Sequence, residues 1–163
     1  MTENASPSKP SPVLQGSAAP ALTPPPYARW LGYAGLLPFV GAAAGAWLLQ
    51  APGLQAWAGV ALLAYGALIA TFLGGIHWGL AMRGADPVTT RLLWGVVPSL
   101  VAWVALMLPL GAGLLVVAAL LATCYAVDRA LYASAGLAGW LTLRLQLTAV
   151  ATASCVAGAW ALY

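Results

Sequence analysis

A chain of 163 residues that is 63% hydrophobic and carries only six Lys and Arg against three Asp and Glu is no soluble globular domain; those hold about a quarter of their residues as charges. Its mean hydropathy of +0.91 marks an integral membrane protein, with room for five spans of about 20 residues each and for no separate soluble domain. The net charge of +3 is spread over single basic residues beside apolar runs, a pattern of membrane topology rather than of nucleic-acid binding.

Residues 1–26 are rich in Pro, Ser and Ala, with Glu3 and Lys9 as their charged side chains, and lack the apolar core of a signal peptide. They are expected to form a disordered cytoplasmic tail. So little positive charge makes a weak organelle-targeting sequence, which favours a bacterial inner membrane over a mitochondrial one.

Residues 27–163 then read as an all-α bundle of five transmembrane helices near 30–49, 54–82, 92–108, 111–127 and 145–162. In the first, Gly41 and Gly45 offer a small surface, and Pro38 is expected to free a carbonyl and kink the helix. The short link at Pro52-Gly53 forces the second span antiparallel to it. Along that second span Leu62, Tyr65, Ile69, Phe72, Leu73, Ile76 and Leu80 fall within an arc of about 100°. Two rows of small residues lie opposite: Gly66, Ala70 and Gly74, then Ala67, Thr71, Gly75 and Gly79. Small residues at every fourth position let membrane helices approach closely, so this helix is predicted to be central and to pack through both rows.

His77, the single histidine, falls beside the first row and should face the interior. There it either fixes packing through a hydrogen bond to a neighbouring carbonyl or hydroxyl, or touches a ligand. In the third span Pro98 repeats the kink signal, with Ser99 beside it to bond the freed backbone. Pro109 makes a second tight, uncharged link. The stretch 128–144 is too long for a turn and too apolar for a solvated loop, and is expected to hold a short interfacial helix. Cys124 and Cys155, in separate runs, read as small apolar fillers without a disulfide.

Five spans put Lys9, Arg29, Arg83, Arg91, Arg129 and Arg144 at one end and no cation at the other. The positive-inside rule makes that end cytoplasmic, with the N-terminus inside and the C-terminus periplasmic. Tyr33, Tyr125, Asp128, Arg129, Arg144 and Gln146 share the same layer, with Arg83 and Arg91 at its rim. Asp128 either closes the bundle in a headgroup-level ion pair, or belongs to an anion or lipid-headgroup pocket in which Arg83, Arg91, Arg129 and Arg144 converge over a floor of His77.

Several chemistries are excluded. One histidine cannot make a bis-histidine haem, and Lys9 in the tail cannot form a Schiff base in the bundle. Carboxylates at mid-depth, metal-ligand spacings, P-loops and dinucleotide fingerprints are all missing from the sequence. No catalytic residue, metal or cofactor is expected. The first functional reading is a non-enzymatic membrane protein acting through helix contacts with lipids and other subunits or its own copy, as an accessory or assembly subunit of a larger respiratory or photosynthetic complex. The alternative is a small transporter or a lipid- or quinone-binding protein, with a cavity between the kinked first and third spans lined by His77, Tyr33, Ser99 and Tyr125.

The segments YGALIATFLGGIHWG (residues 65–79), LGYAGLLPF (31–39) and LLWGVVPSLVAW (92–103), with the Asp128-Arg129 pair, resemble a small membrane domain of bacterial proteins and of the mitochondrial transmembrane-protein-sixty-nine family. The likeness covers residues 27–150. It implies a five-helix inner-membrane protein, and because that domain has no assigned function it carries no catalytic or binding role to any residue here.

Overall fold

Prolines punctuate the helices. In the computed structural model, which describes residues 22–162, the first span is two helices, α1 (Pro26–Ala34) and α2 (Leu37–Leu48). They are followed by α3 (Pro52–Met82), α4 (Val88–Ala105), α5 (Leu110–Leu131) and α6 (Leu141–Ala161). Pro26 and Pro52 stand as first residues, and Pro87 and Pro109 directly precede α4 and α5, where a missing N–H leaves no helical bond unmade. Five stretches are long and apolar enough to cross a membrane, α1 and α2 together counting as one. The described residues contain no strand. Residues 1–21 of the expected tail lie outside the described residues.

α3 is the hub: it packs against α2, α4, α5 and α6, and further helix contacts run α1 to α6, α2 to α6, α6 to α5 and α5 to α4. Its two rows of small residues do not share this burial. Gly66, Ala70 and Gly74 are buried, and of the second row only Ala67 is; Thr71, Gly75 and Gly79 are exposed. Nothing lies within 4 Å of where a Cβ on Gly75, Gly79 or Gly41 would stand, which corrects their expected packing role. Bulky side chains share the covered side instead, with Leu62, Leu63 and Leu73 buried there. Gly45 does pack, with Ala58 Cβ 3.1 Å from its missing Cβ.

The closest approach joins α3 to α4. A methyl at Gly74 would overlap the carbonyl oxygen of Gly95, and one at Gly95 would overlap the Trp78 indole. Only glycine at both positions allows this spacing. Trp78 Nε1 donates to Leu92 O at 3.0 Å across the same seam.

The two expected proline kinks differ. Pro38, second in α2, cannot donate to the Ala34 carbonyl, and the chain breaks at Gly35-Leu36. Tyr65 Oη donates to Gly35 O at 2.9 Å, satisfying a carbonyl at the break, and the Tyr65 ring meets Phe39 edge to face at 5.0 Å. α1 consequently leans on α6, with Gly32 against Leu147, and packs little against α3. Pro98, in contrast, lies buried inside a continuous α4, and its Cγ would stand 3.3 Å from a Cβ on Gly74. Ser99 is half-buried and makes no side-chain hydrogen bond among the described residues.

The 128–144 stretch holds less independent structure than expected. α5 continues to Leu131 and α6 begins at Leu141, leaving two single 3₁₀ turns, Ala133–Ala135 and Ala138–Trp140. Gly136 between them has φ 71°, a left-handed conformation that ends the first turn and that side chains resist. At the opposite end of the bundle, Gln55 Nε2 donates to Ala46 O at 2.9 Å and Ala161 O at 3.0 Å, tying α2, α3 and α6. Cys124 and Cys155 are buried free thiols.

Candidate functional site

The row Gly66, Ala70, Gly74 continues one turn further to His77, so the histidine inherits the buried side of α3. Asp128 lies in the last turn of α5 and Arg144 in the first turn of α6; antiparallel packing brings both to that level. His77 Nε2 meets Asp128 Oδ1 at 2.9 Å. Asp128 Oδ2 accepts from Arg144 Nε at 2.8 Å and Nη2 at 2.5 Å. His77 and Asp128 are each 1% exposed and Arg144 is 9%. Two ionised groups removed from water hold only while each satisfies the other, so this cluster closes the end of the bundle. The partner of His77 is a carboxylate, not the carbonyl or hydroxyl expected, and it requires the proton on Nε2. Nδ1 is buried and has no hydrogen-bond partner among the described residues.

Tyr132, just beyond α5, packs its ring 6.2 Å from that of His77. Burial pushes its phenol up to about 12, with the Asp128 charge adding to the effect, so it remains a hydroxyl. Arg91 is fully buried but serves another purpose. Its Nη2 donates to Leu131 O at 2.6 Å and Ser134 Oγ at 2.9 Å, and its Nε to Asp86 O at 3.2 Å. The guanidinium thus caps the negative end of α5.

The predicted polar layer therefore divides. Arg83 and Arg129 are exposed and make no ion pair among the described residues, so the four arginines do not converge. Tyr33 donates to Gln146 Oε1 at 2.6 Å, binding α1 to α6. Tyr125 is half-buried on a separate shallow groove between α5 and α6. The ion pair of Asp128 with an arginine was legible in the sequence; which arginine was not.

Beside the cluster lies an apolar cavity of about 570 Å³, enclosed by α1, the Gly35 break, α3, α5 and α6. Phe39, Ile69, Leu121 and Ala151 line it on one side of the level of Arg144 and Thr148, and Tyr132, Leu137 and Trp140 line it on the other. This corrects the expected location. α4 contributes nothing, because the Gly74 to Gly95 contact shuts the seam between the second and third spans, and none of His77, Tyr33, Ser99 and Tyr125 lines it. The space comes from the departure of α1 at the break. Tyr132 and Trp140 were missed in this role because their positions depend on the irregular link between α5 and α6; the sequence signal available was this aromatic pair within the stretch between Asp128 and Arg144. Among the described residues no group of His, Cys, Asp and Glu could hold a metal ion.

Five spanning helices gathered around a buried His-Asp-Arg cluster define a polytopic membrane protein. The chain belongs to the family described as "Protein of unknown function (DUF3429)", which matches residues 24–160. It is similar to Transmembrane protein 69 of Xenopus tropicalis, at 41% identity over 87 residues, 51% of this chain and 33% of that protein. The similarity thus reaches about a third of that relative's length. No solved structure matches the chain.

Proposed function

We propose that this is a non-enzymatic inner-membrane protein that holds a membrane amphiphile, a lipid or a quinone, in the cavity between α1, α3 and α6. The observation that carries this reading is the cavity's lining: walls that are almost wholly apolar, with Arg144, Tyr132 and Thr148 set among them, and a side where α1 packs little against α3. Leu31 and Phe72, at 73% and 66% exposed, form the lips of that gap. An opening flanked by such residues faces hydrocarbon in a bilayer, which suits a ligand already dissolved there better than an aqueous solute. Ala28→Trp, on the α1 wall, should put an indole into the cavity and obstruct it while leaving the core alone. Mass spectrometry of lipids and quinones carried through mild-detergent purification should show bound amphiphile falling at least about fivefold in this variant at unchanged melting temperature. Equal retention would sink the proposal.

A second reading, an accessory subunit acting through helix contacts, is supported by Thr71, Gly75 and Gly79, small residues turned outward on a membrane helix with nothing over the glycines. Other membrane subunits or a second copy co-migrating in the same preparation would favour it; a lone monomer would exclude it.

The proposed orientation places the arginine-bearing end in the bacterial cytoplasm, supported by Arg29, Arg83, Arg91, Arg129 and Arg144 all lying at that end of their helices. A membrane-impermeant maleimide added to intact cells should label Gln50→Cys and spare Thr89→Cys, both native cysteines being buried. The reverse pattern would invert the topology.

A further inference from the structure

The cavity occupies one half of the bundle and ends there. Its deepest lining residues, Phe39, Ile69, Leu121 and Ala151, each lie within two residues of the midpoint of their own span. From that level the lining runs toward the arginine-bearing end on every wall: to Ala28 on α1, to Ile76 on α3, past the end of α5 to Tyr132, and to Trp140 ahead of α6. One turn in the other direction the helices are in contact. A Cβ on Gly66 would stand 2.7 Å from Val117 Cγ1, 3.6 Å from Phe39 Cε1 and 3.7 Å from Cys155 Sγ, and Val117 and Cys155 are fully buried. Packed core therefore closes the inner end.

The dimensions of the space restrict what fills it. On α6 the lining from Leu143 to Ala151 rises about 12 Å, and the link to α5 extends it toward the headgroup level. That depth is close to one leaflet, half of a hydrocarbon core of about 30 Å. At roughly 30 Å³ for a methylene, about the share of a water molecule in the liquid, a volume of about 570 Å³ admits a chain of about 16 to 20 carbons. Two such chains need about twice the space, and an isoprenoid tail long enough to cross the bilayer would run into Val117 and Cys155. A chain already in hydrocarbon gains little by burial alone. What it gains is dispersion contact with walls that an incompletely filled cavity would forfeit, so a chain that fills the space is favoured over a shorter one. The polar group of an amphiphile stays at the membrane surface, and the arginine-bearing end is the end of the cavity that lies there.

Resting on the amphiphile reading above, we infer that the occupant is an acyl lipid of the leaflet at the arginine-bearing end, with one chain of about 16 to 18 carbons standing in the cavity. Its ester lies at the link between α5 and α6, and its terminal methyl lies against Phe39, Leu121 and Ala151. Such a chain has two sources: a single-chain lipid, or a diacyl lipid whose second chain passes out between Leu31 and Phe72.

The test is photolabelling of the purified full-length protein in digitonin, a steroidal detergent with no linear chain to compete. Two monoacylglycerol probes of sixteen carbons carry a diazirine, one at the chain terminus and one beside the ester, and labelled residues are mapped by peptide mass spectrometry. The terminal probe should mark Phe39, Leu121 or Ala151, and the ester-side probe should mark Tyr132, Leu137 or Trp140. Unlabelled palmitoylglycerol should suppress this labelling at least about fivefold at a concentration where decanoylglycerol and a ten-isoprene quinone do not. Dipalmitoylglycerol competing as well as palmitoylglycerol identifies the diacyl source, and its failure to compete identifies the single-chain source. Exchange of the two labelling patterns would overturn the inference while the cavity reading stands. So would decanoylglycerol or the quinone competing as well as palmitoylglycerol. Label no stronger on the lining than on the exposed Leu100 and Leu115, or labelling untouched by Ala28→Trp, would overturn the cavity reading itself.

Discussion

Asp128→Leu should lower stability by about 3–5 kcal/mol, measured by SDS titration of the protein in mixed micelles. The loss comes less from the missing bonds than from what stays behind: Arg144, 9% exposed, keeps its charge without a counter-ion, and His77 Nε2 loses its acceptor. The companion variant separates that explanation from simple damage to packing. Removing both charges, as Asp128→Leu with Arg144→Met, should recover most of the loss, because an apolar pair of similar volume leaves no unpaired ion. A single variant within about 1 kcal/mol of wild type would mean the cluster does not hold the bundle together; a double variant as weak as the single would mean that shape, not charge, is what matters.

Gly74→Val should cost about 1–3 kcal/mol or more through overpacking, since the obstacle is the Gly95 carbonyl, part of a helix backbone that cannot rotate aside. The α3 to α4 seam would have to open, taking with it the Trp78 Nε1 bond to Leu92 O. Gly75→Ala and Gly79→Ala, one and five residues further along the same helix, meet open space and should stay within about 0.5 kcal/mol of wild type. Thermal unfolding of the three variants in one detergent gives the comparison. Equal losses at Gly74 and Gly75 would contradict the packing described for α3.

Much of this arrangement could be read from residue order, and the limits of that reading are physical. Five apolar runs, the short links at Pro52 and Pro109, and the inward position of His77 follow from length and helical period alone. Period also finds the two small-residue rows of α3, but it cannot say which one faces a neighbour, because that depends on how many helices surround the hub. Pro38 and Pro98 carry the same chemical signal with opposite results. One sits where a span can divide and let α1 rest on α6; the other lies against a glycine that makes room for an unbroken α4. Asp128 stood out as the one acid near a span end. Its choice of Arg144 over Arg129 or Arg91 depends on the rotation of α6 after the irregular link, where no repeating pattern exists to read. The cavity was the least legible feature, being made by the sparse packing of α1 against α3.

His77 and its carboxylate partner are 51 residues apart, and the arginine follows 16 residues later. A ribosome delivers α3 to the bilayer well before α5 and α6 exist, so the histidine must enter lipid unaccompanied, and Asp128 must wait for Arg144. α6 therefore carries the group that completes the interior, and a chain halted before it would leave the Asp128 carboxylate in the bilayer without its counter-ion.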